Sequence, residues 1–331
     1  MPARSTSATI SAKTPAMNRL EKIIAVVDHW QQNNRLTAFP YAVVKKYGED
    51  EAGYQAALLT YYGFLSLFPL LLVLTTLVGI IGGNHEAFKH TILQGLTNYF
   101  PSFGDQLSKV QSIHKSGLAL VVGVLFTLYG ARGVADAFRN GVNHIWETPK
   151  SKRPGFPQSN LQSLAIIGVG GGGFLLASIT SGFAAAAGHG LLFRLLSTLL
   201  NLVILFWVFR RLLSLALPGV LPARNTRSGA AAAAIGLVTL QLLGSLILKN
   251  ELKNLNAVYS IFALSLGLLF WLYLQAQTIY YAVEIASVRS LKLYPRGLQA
   301  NHLTPADKRV YKRQVLREKQ LESEKIETSF H

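Results

Sequence analysis

The sequence predicts an all-α, polytopic membrane protein with six transmembrane helices. Half of its 331 residues are hydrophobic and only 15% are charged. Uncharged intervals long enough to cross a bilayer recur along the chain, since roughly 20 apolar residues in a helix span the hydrocarbon core. The basic residues are concentrated in alternate connections between these intervals. Helices are the expected spanning elements, because a helix satisfies its own backbone hydrogen bonds where no water is present.

The first span is a long, mainly apolar stretch without charge. The segment LLTYYGFLSLFPLLLVLTTLVGIIGG, Leu58–Gly83, contains no charged side chain. As a helix it would be about 39 Å long, at ~1.5 Å per residue. A soluble core helix of that length would need a polar face, so the segment is predicted to cross a membrane.

The other uncharged intervals predict five more spans. Residues 57–289 form the predicted membrane domain, with spans near 57–83, 117–138, 161–187, 191–217, 229–249 and 258–287. Residues 1–16 are predicted to be disordered. Residues 17–56 are predicted to form amphipathic helices in the cytoplasm or at the interface, the second of them over Tyr41–Ala56. Residues 290–331 are a basic, charged cytoplasmic tail, expected to be either solvated or in contact with anionic head groups.

The distribution of Lys and Arg orients the six spans. If the N-terminus is cytoplasmic, 26 of the 32 basic residues lie on the cytoplasmic side, in agreement with the positive-inside bias. Both termini are therefore predicted to be cytoplasmic. The same distribution accounts for the formal net charge of +16. Binding to nucleic acid is not expected, since we find neither a basic face with interleaved aromatic residues nor a recognisable module.

Polar residues of the first span share one helical face. Tyr62, Ser66 and Pro69 follow one another at steps of 4 and 3, which places them on the same side of a helix. Pro69 frees the carbonyl of Leu65 and is expected to kink the helix. In lipid that carbonyl needs a partner in protein or in a wet cavity. The face is either a seam between helices or a surface that lines a substrate path.

A second polar stripe begins in span two and continues past its end. It consists of Tyr129, Arg132, Asp136, Asn140 and Asn143, at steps of 3, 4, 4 and 3. Arg132 and Asp136 are one turn apart and can pair directly. Ionisable residues at membrane depth are costly and usually face the interior, although long side chains near a helix end can reach the interface. The pair is either a structural ion pair at the interface or part of a functional vestibule.

The third stripe lies on span six. Gln277, Tyr281 and Glu284 are spaced by 4 and 3, and Glu284 is the only acidic residue of that span. If Glu284 is deep, it must be protonated or paired with a cation from another helix, such as Arg132 or Arg210. It is either an acid that couples proton movement or a helix-end acid in the head-group region.

Small and amide residues of spans three and five predict helix packing. Gly168, Gly172, Ser178 and Gly182 form a ridge of small residues along span three, which favours close approach of a neighbouring helix or of a second copy of the chain. The glycine run is not a phosphate loop, since no Lys-Ser/Thr follows it and no strand precedes it. An interhelical hydrogen bond would satisfy Gln241 in span five.

No catalytic, metal or cofactor site is predicted. The chain has no cysteine, which excludes thiol nucleophiles and Cys-ligated metals. The eight histidines are scattered, without H-x-x-x-H or H-E-x-x-H spacing, and there is no G-x-S-x-G nucleophile elbow. An enzymatic activity is therefore not expected.

Three segments resemble the YihY/BrkB family of bacterial inner-membrane proteins, also called virulence factor BrkB. They are AALLTYYGFLSLFPLLL (Ala56–Leu72), LYGARGVADAFRNGVNHIW (Leu128–Trp146) and AVYSIFALSLGLLFWLYLQAQTIYYAVEIASV (Ala257–Val288). The resemblance implies a six-span inner-membrane protein with a role in envelope integrity. It also implies, for some members, export of lipids or lipopolysaccharide precursors. An older family label, ribonuclease BN, has no counterpart in these residues, because no cluster of acids or histidines could hold two metal ions.

Three interpretations of the function remain open from the sequence. The first is a transporter or flippase-like protein for an amphiphilic or lipid component of the envelope, in which Arg132 contacts an anionic head group and Glu284 couples protons or tunes charge. The second is a membrane scaffold without transport, in which the polar stripes are closed seams. The third is a membrane-bound enzyme. Membrane lipids are the expected partners, and a homo-oligomer is compatible with the glycine ridge.

Overall fold

The structure is a computed structural model that describes residues 19–81, 117–186, 190–218, 226–251, 257–299 and 303–330. Within these ranges the chain forms nine α-helices and no strand, so the predicted all-α class is confirmed. The helices are α1 (Arg19–Asn33), α2 (Arg35–Glu49), α3 (Ala52–Ile81), α4 (Gly117–Ile145), α5 (Gln158–Ala186), α6 (Leu191–Ala216), α7 (Arg227–Glu251), α8 (Ala257–Ser290) and α9 (Pro305–Arg317). The predicted disordered segment 1–16 lies outside the described residues.

Over the residues that the structure describes, four helices are long and apolar enough to cross a membrane. The qualifying stretches are Val121–Ile145 of α4, Gln158–Thr180 of α5, Leu195–Ala216 of α6 and Arg227–Gly244 of α7. The first and last predicted spans correspond to α3, with 30 residues, and α8, with 34. That all six helices cross the bilayer, and that both termini are cytoplasmic, stay predictions.

The six long helices pack as a ring. Each contacts the next along the chain, and α8 returns to pack against α3. Their shared core is rich in alanine, with Ala56, Ala135, Ala234 and Ala286 each at most 1% exposed. Such small side chains let neighbouring backbones approach closely, which is how helices associate where lipid removes the hydrophobic driving force between them.

The outward faces of the ring are apolar. Leu125 and Phe126 of α4, Leu199 of α6 and Phe270 of α8 are each more than half exposed. Large exposed apolar side chains in such numbers would be a liability in water. Around a bundle of long apolar helices they are the expected contact with acyl chains.

The helices outside the ring lie at one end of it, which we call the docked end. There α2 contacts the start of α3 and the end of α8. A small second core forms there from Val43 of α2, Val288 of α8, Val310 of α9 and Leu293, which lies between α8 and α9. Asp28 of α1 accepts a hydrogen bond from Leu298 N–H at 2.9 Å. The N-terminal helices and the tail are therefore joined to each other and to the membrane domain.

Two expectations about this end differ from the structure. The prediction of one helix over Tyr41–Ala56 is wrong, because α2 ends at Glu49 and α3 begins at Ala52. Between them Glu51 has φ 50°, and a left-handed residue interrupts a right-handed helix. The tail is not simply solvated either, since α9 buries Val310 and is capped by Thr304, whose side chain accepts a hydrogen bond from Asp307 N–H. Such a capping box stabilises a helix start.

Candidate functional site

A cluster of buried charges lies at the docked end, centred on Lys46 of α2. The Lys46 side chain is 0% exposed. Its Nζ donates to Asp50 Oδ2, one helical turn on, and to the Ile145 carbonyl at 2.7 Å. The same Nζ lies 3.3 Å from Glu147 Oε1 and 3.5 Å from Glu284 Oε2. One ammonium group thus contacts carboxylates from three parts of the chain, all of them fully buried.

Two arginines of α9 complete this group, which we call the Lys46 cluster. Arg313 Nε donates to Glu147 Oε2 at 3.0 Å, and Arg313 also donates to the Trp146 carbonyl. Arg317 Nη1 lies 3.8 Å from Asp50 Oδ1. The cluster therefore contains three cations and three acids: Lys46, Arg313 and Arg317, with Asp50, Glu147 and Glu284. Because removal of charges from water is costly, such a group needs this balance of sign to be stable.

The protonation of Lys46 follows from its surroundings. Burial alone would lower the pKa of the Lys46 ammonium, but the carboxylates of Glu284, Asp50 and Glu147 raise that pKa by more, so it lies above its ordinary value. Burial raises the pKa of Glu147, against the opposing effect of Lys46. Lys46 is therefore charged at neutral pH, and Glu147 takes up a proton more readily than an exposed glutamate.

Aromatic residues form one wall of the cluster. The Tyr47 and Tyr281 rings stack with their centroids 3.9 Å apart and their planes 6° from parallel. The Tyr47 hydroxyl and both carboxylate oxygens of Glu284 are buried, and among the described residues none of these atoms has a hydrogen-bond partner. Glu284 is thus held by the charge of Lys46 rather than by hydrogen bonds. A buried carboxylate held in this way is sensitive to any change in that one cation.

A second group of charges attaches the tail, and we call it the Arg296 cluster. Arg296 is 0% exposed; its Nε donates to Asp307 Oδ1, and its Nη2 donates to Glu49 at 2.8 and 2.9 Å. Lys45 Nζ lies 3.1 Å from Asp307 Oδ1. Adjacent lysines of α2 therefore serve different clusters: Lys45 binds the tail, and Lys46 binds the ends of the long helices.

The polar stripe of the first span packs against glycines of α4. A Cβ added at Gly133 would lie 2.2 Å from the Tyr62 ring, and one added at Gly130 would lie 2.4 Å from Ser66 Cβ. The helices can approach this closely only because α4 has glycine at both positions, with a hydrogen atom in place of a side chain. Over Tyr62 and Ser66 the stripe is therefore a closed seam between helices. The side chain of Pro69 lies outside the described residues.

The stripe of the second span is divided between exposed and buried positions. Tyr129 is 66% exposed and Asn140 is also exposed, whereas Asn143 is buried and donates to the Ala216 carbonyl at 2.8 Å. The Arg132 side chain is 62% exposed, and its Nε lies 3.7 Å from Asp136 Oδ2. Arg132 is therefore not a buried cation, and this stripe does not form one continuous inner face.

Asp136 has closer partners than the predicted one. Arg139, which is 14% exposed, places Nη2 at 3.3 Å from Asp136 Oδ1. Ser163 of α5 donates its hydroxyl to the same oxygen at 2.6 Å. Arg132 instead donates to Asn160 at 3.1 Å. The acid joins α4 to α5 near the docked end, with Arg132 as an outer and weaker partner.

On α8 the predicted partners of Glu284 are wrong. Neither Arg132 nor Arg210 pairs with it; the cation is Lys46. Tyr281 stacks on Tyr47 and Gln277 is half-buried. Between α6 and α7, Asn201 Nδ2 donates to Gln241 Oε1 at 3.3 Å, which is the interhelical hydrogen bond expected for Gln241.

The predicted glycine ridge is displaced by one residue. No described side chain or backbone atom comes within 4 Å of a Cβ built at Gly168 or Gly172, whereas a Cβ at Gly173 would lie 2.3 Å from Val208 of α6. Ser178 is buried, and the surroundings of Gly182 lie outside the described residues. Small residues of α5 do mediate close packing, but the contact face includes Gly173 rather than Gly168 and Gly172.

Sequence patterns missed most of the Lys46 cluster. Lys46 and Asp50 stand one turn apart in KKYGED, which was the available local signal. Glu147, Arg313 and Arg317 carry no such signal, since their partners are distant in sequence. Over the described residues no group of three or more His, Cys, Asp or Glu side chains is arranged to hold a metal ion; the three acids here surround an ammonium group.

Comparison with known proteins places the chain in a family. The profile of the family described as virulence factor BrkB matches residues 43–306, a range that includes α3 to α8 as well as Lys46, Asp50, Glu147 and Glu284. A search of curated proteins and a search of solved structures each found no match. The family match covers most of the sequence and agrees with the apolar helices of the structure. The chain belongs to the virulence factor BrkB family.

Proposed function

We propose that this protein is a transporter or flippase-like protein for an anionic, amphiphilic component of the bacterial envelope, and that it acts in the inner membrane. The observation that carries the proposal is the contact of Lys46 with Glu284, a buried acid of the last span. A buried ion pair is weak support for stability, because well-packed apolar residues would serve as well or better. Ionisable residues within spans usually belong to a substrate or proton pathway.

In this proposal the Lys46 cluster is the closed end of the path. Helices α2, α8 and α9 meet there, through ion pairs, with Glu147 just beyond α4. The Tyr62–Gly133 contact closes the seam beside them. Protonation of Glu147, which burial favours, would weaken the hold on Lys46. Lys46 would keep its contacts with Asp50 and Glu284, and an anionic head group would take the place of the Glu147 carboxylate beside it. Arg132 on the outer face would guide that head group to the site.

Reconstitution into liposomes tests the proposal. Purified protein would be inserted into vesicles that contain fluorescent anionic or zwitterionic lipids, and movement between leaflets would be followed by quenching from outside. We expect transfer of the anionic lipid by the natural protein, and at least a tenfold slower rate for Glu284→Gln. Lys152→Gln, which removes an exposed charge, is the control and should leave the rate unchanged. Absence of transfer under any pH gradient would contradict the proposal.

A membrane scaffold without transport is the second candidate. It is favoured by the direct contacts of Tyr62 with Gly133 and of Ser66 with Gly130, which leave no open volume between α3 and α4 at those positions. A scaffold predicts that substitutions within the Lys46 cluster reduce stability but leave the leaflet distribution of lipids unchanged. The liposome experiment therefore separates the two candidates, provided that folded protein is verified for each variant. An enzymatic role forms no part of either candidate.

A further inference from the structure

A cavity of about 770 Å³ opens at the docked end between α6, α7 and α8. Its volume is in the range of small-molecule sites, roughly 300–1,000 Å³. Three cations line it: Arg227 at the start of α7, Arg289 in the last turn of α8 and Lys292 just beyond. No acidic residue is present among the lining residues, so the cavity is strongly positive.

These three cations are exposed, and they differ from the paired cations at this end. Lys46, Arg296 and Arg313 each contact a carboxylate. For the side chains of Arg227, Arg289 and Lys292, the described part of the chain provides no ion pair. Like charges around one cavity repel one another, and a bound anion would relieve that repulsion.

Hydroxyl groups accompany the charges. Ser228 and Ser290 both line the cavity. The Ser290 Oγ is buried and has no hydrogen-bond partner among the described residues. Arginine, lysine and serine side chains are the groups that most often donate to phosphate oxygens. The lining therefore suits an oxyanion such as a phosphate group.

An apolar surface continues from the cavity along two helices. On α6 the lining residue Phe206 shares a face with Val203, three positions earlier, which is 43% exposed. On α7 the lining residue Ala231 is followed, four positions later, by Ile235, which is 55% exposed. Residues three or four apart lie on one side of a helix. Acyl chains attached to a phosphate in the cavity would lie along these faces.

We propose that this cavity binds the phosphate of an anionic phospholipid head group, with its acyl chains along α6 and α7. A free phosphate shares the head-group chemistry but would make no use of the exposed apolar faces beside the cavity. The site is separate from the Lys46 cluster, which α2, α4, α8 and α9 form, so the inference does not rest on the proposed transport. It predicts a resident lipid that is bound whether or not any lipid is moved.

Binding of phosphatidylglycerol in nanodiscs of phosphatidylcholine tests this site. A fluorescent phosphatidylglycerol would be titrated against the natural protein and against Arg227→Gln combined with Lys292→Gln. Each cation near a membrane surface adds about 1 kcal/mol of attraction to an anionic lipid, which is about fivefold. We therefore expect roughly 30-fold weaker binding by the double variant. Lys152→Gln combined with Lys312→Gln removes the same charge from exposed positions that do not line the cavity and should bind as the natural protein does.

Three arms of the titration separate the sources of the phosphate. If millimolar inorganic phosphate competes with phosphatidylglycerol, and if the Arg227/Lys292 variant binds phosphatidylglycerol more weakly, the result supports recognition of the phosphate group. Equal weakening by both double variants would mean that net charge alone attracts the lipid, and it would overturn the proposal. Saturable binding of inorganic phosphate without preference for phosphatidylglycerol over phosphatidylcholine would overturn the assignment to a lipid. Normal Trp fluorescence and melting temperature of each variant exclude loss of folding as the cause.

Discussion

Lys46 Nζ lies 3.5 Å from Glu284 Oε2, and this contact joins an N-terminal helix outside the ring to the last long helix. Neither residue reaches solvent. The ammonium group also contacts Asp50, Glu147 and the carbonyl of Ile145. One side chain therefore holds together α2, the end of α4 and the end of α8, and its removal should affect all three.

Lys46→Met is expected to destabilise the protein strongly. The substitution leaves three buried acids with only the two peripheral arginines, and removal of one partner from a buried ion pair costs about 3–5 kcal/mol. Thermal unfolding in detergent, followed by Trp fluorescence, measures the effect. The adjacent Lys45→Met is the matched control, because Lys45 is partly exposed and its partner Asp307 keeps Arg296. It should cost about 1 kcal/mol, and an equal loss in both variants would contradict the central role of Lys46.

Glu284→Gln should partly rescue Lys46→Met. With Lys46 absent, a neutral amide removes one of the uncompensated buried charges, so the double variant is expected to melt above the single variant. A positive interaction of about 0.5–3 kcal/mol in a double-mutant cycle is typical of residues in contact. Additive losses in that cycle would show that the two side chains do not interact.

The docking of α9 against α2 and Arg296 should weaken in acid. Burial would raise the pKa of Asp307, but hydrogen bonds from Gly297 N–H, Thr304 and Arg296 lower it by more, so that pKa lies below its ordinary value. A lowered pKa stabilises the folded state above the unfolded value of about 3.9, and the contribution is lost as the pH falls towards the folded value. Docking should therefore be constant above about pH 5 and weaken below pH 4.

Spin labels can measure the docking of α9, because the chain has no natural cysteine and each label therefore attaches only at an introduced one. Spin labels at Lys152→Cys and Lys312→Cys, both exposed positions, would report the distance between α9 and the connection after α4. The distance distribution should broaden below about pH 4. In Asp307→Asn it should be broader already at pH 7 and change less with pH, since the titrating group is gone. A distribution that is narrow at every pH in both proteins would exclude this role of Asp307.

Gly130→Ala should disrupt the contact between α3 and α4. The new methyl group would lie 2.4 Å from Ser66 Cβ and 2.8 Å from the Ser66 Cα, and backbone cannot move aside as a flexible side chain can. We expect a loss of about 1–3 kcal/mol, typical of overpacking. Gly63→Ala is the matched control: no described atom lies within 4 Å of its added Cβ, so alanine should stabilise the helix by up to about 1 kcal/mol. Melting temperatures in detergent compare the two.

Gly173 and Gly172 offer a similar test of the contact between α5 and α6. Gly173→Ala would place a methyl group 2.3 Å from Val208 and should lower the melting temperature. Gly172→Ala has no such neighbour among the described residues and should be neutral or stabilising. The reverse order of the two melting temperatures would restore the ridge predicted from the sequence.

Local patterns predicted the helices well but not their orientation about their own axes. A spacing of 3 or 4 shows which residues share a face, and on that basis Tyr62, Ser66 and their stripe belong together. It does not show which neighbour that face meets. Gly173 rather than Gly172 therefore packs on α6, and Tyr129 and Arg132 are exposed although their stripe resembled an inner face.

The sequence by itself determined the all-α class, the apolar helices and the family, because composition, the length of uncharged intervals and the segments around Tyr62, Arg132 and Glu284 are all local properties of the chain. Only the tertiary structure decided which charges meet. Glu284 pairs with Lys46 instead of Arg132 or Arg210 because α2 folds back against the end of α8. The tail helix likewise supplies Arg313 to Glu147 across a long separation in sequence. The physical reason is that an ion pair depends on distance in space, which periodicity along one helix does not encode.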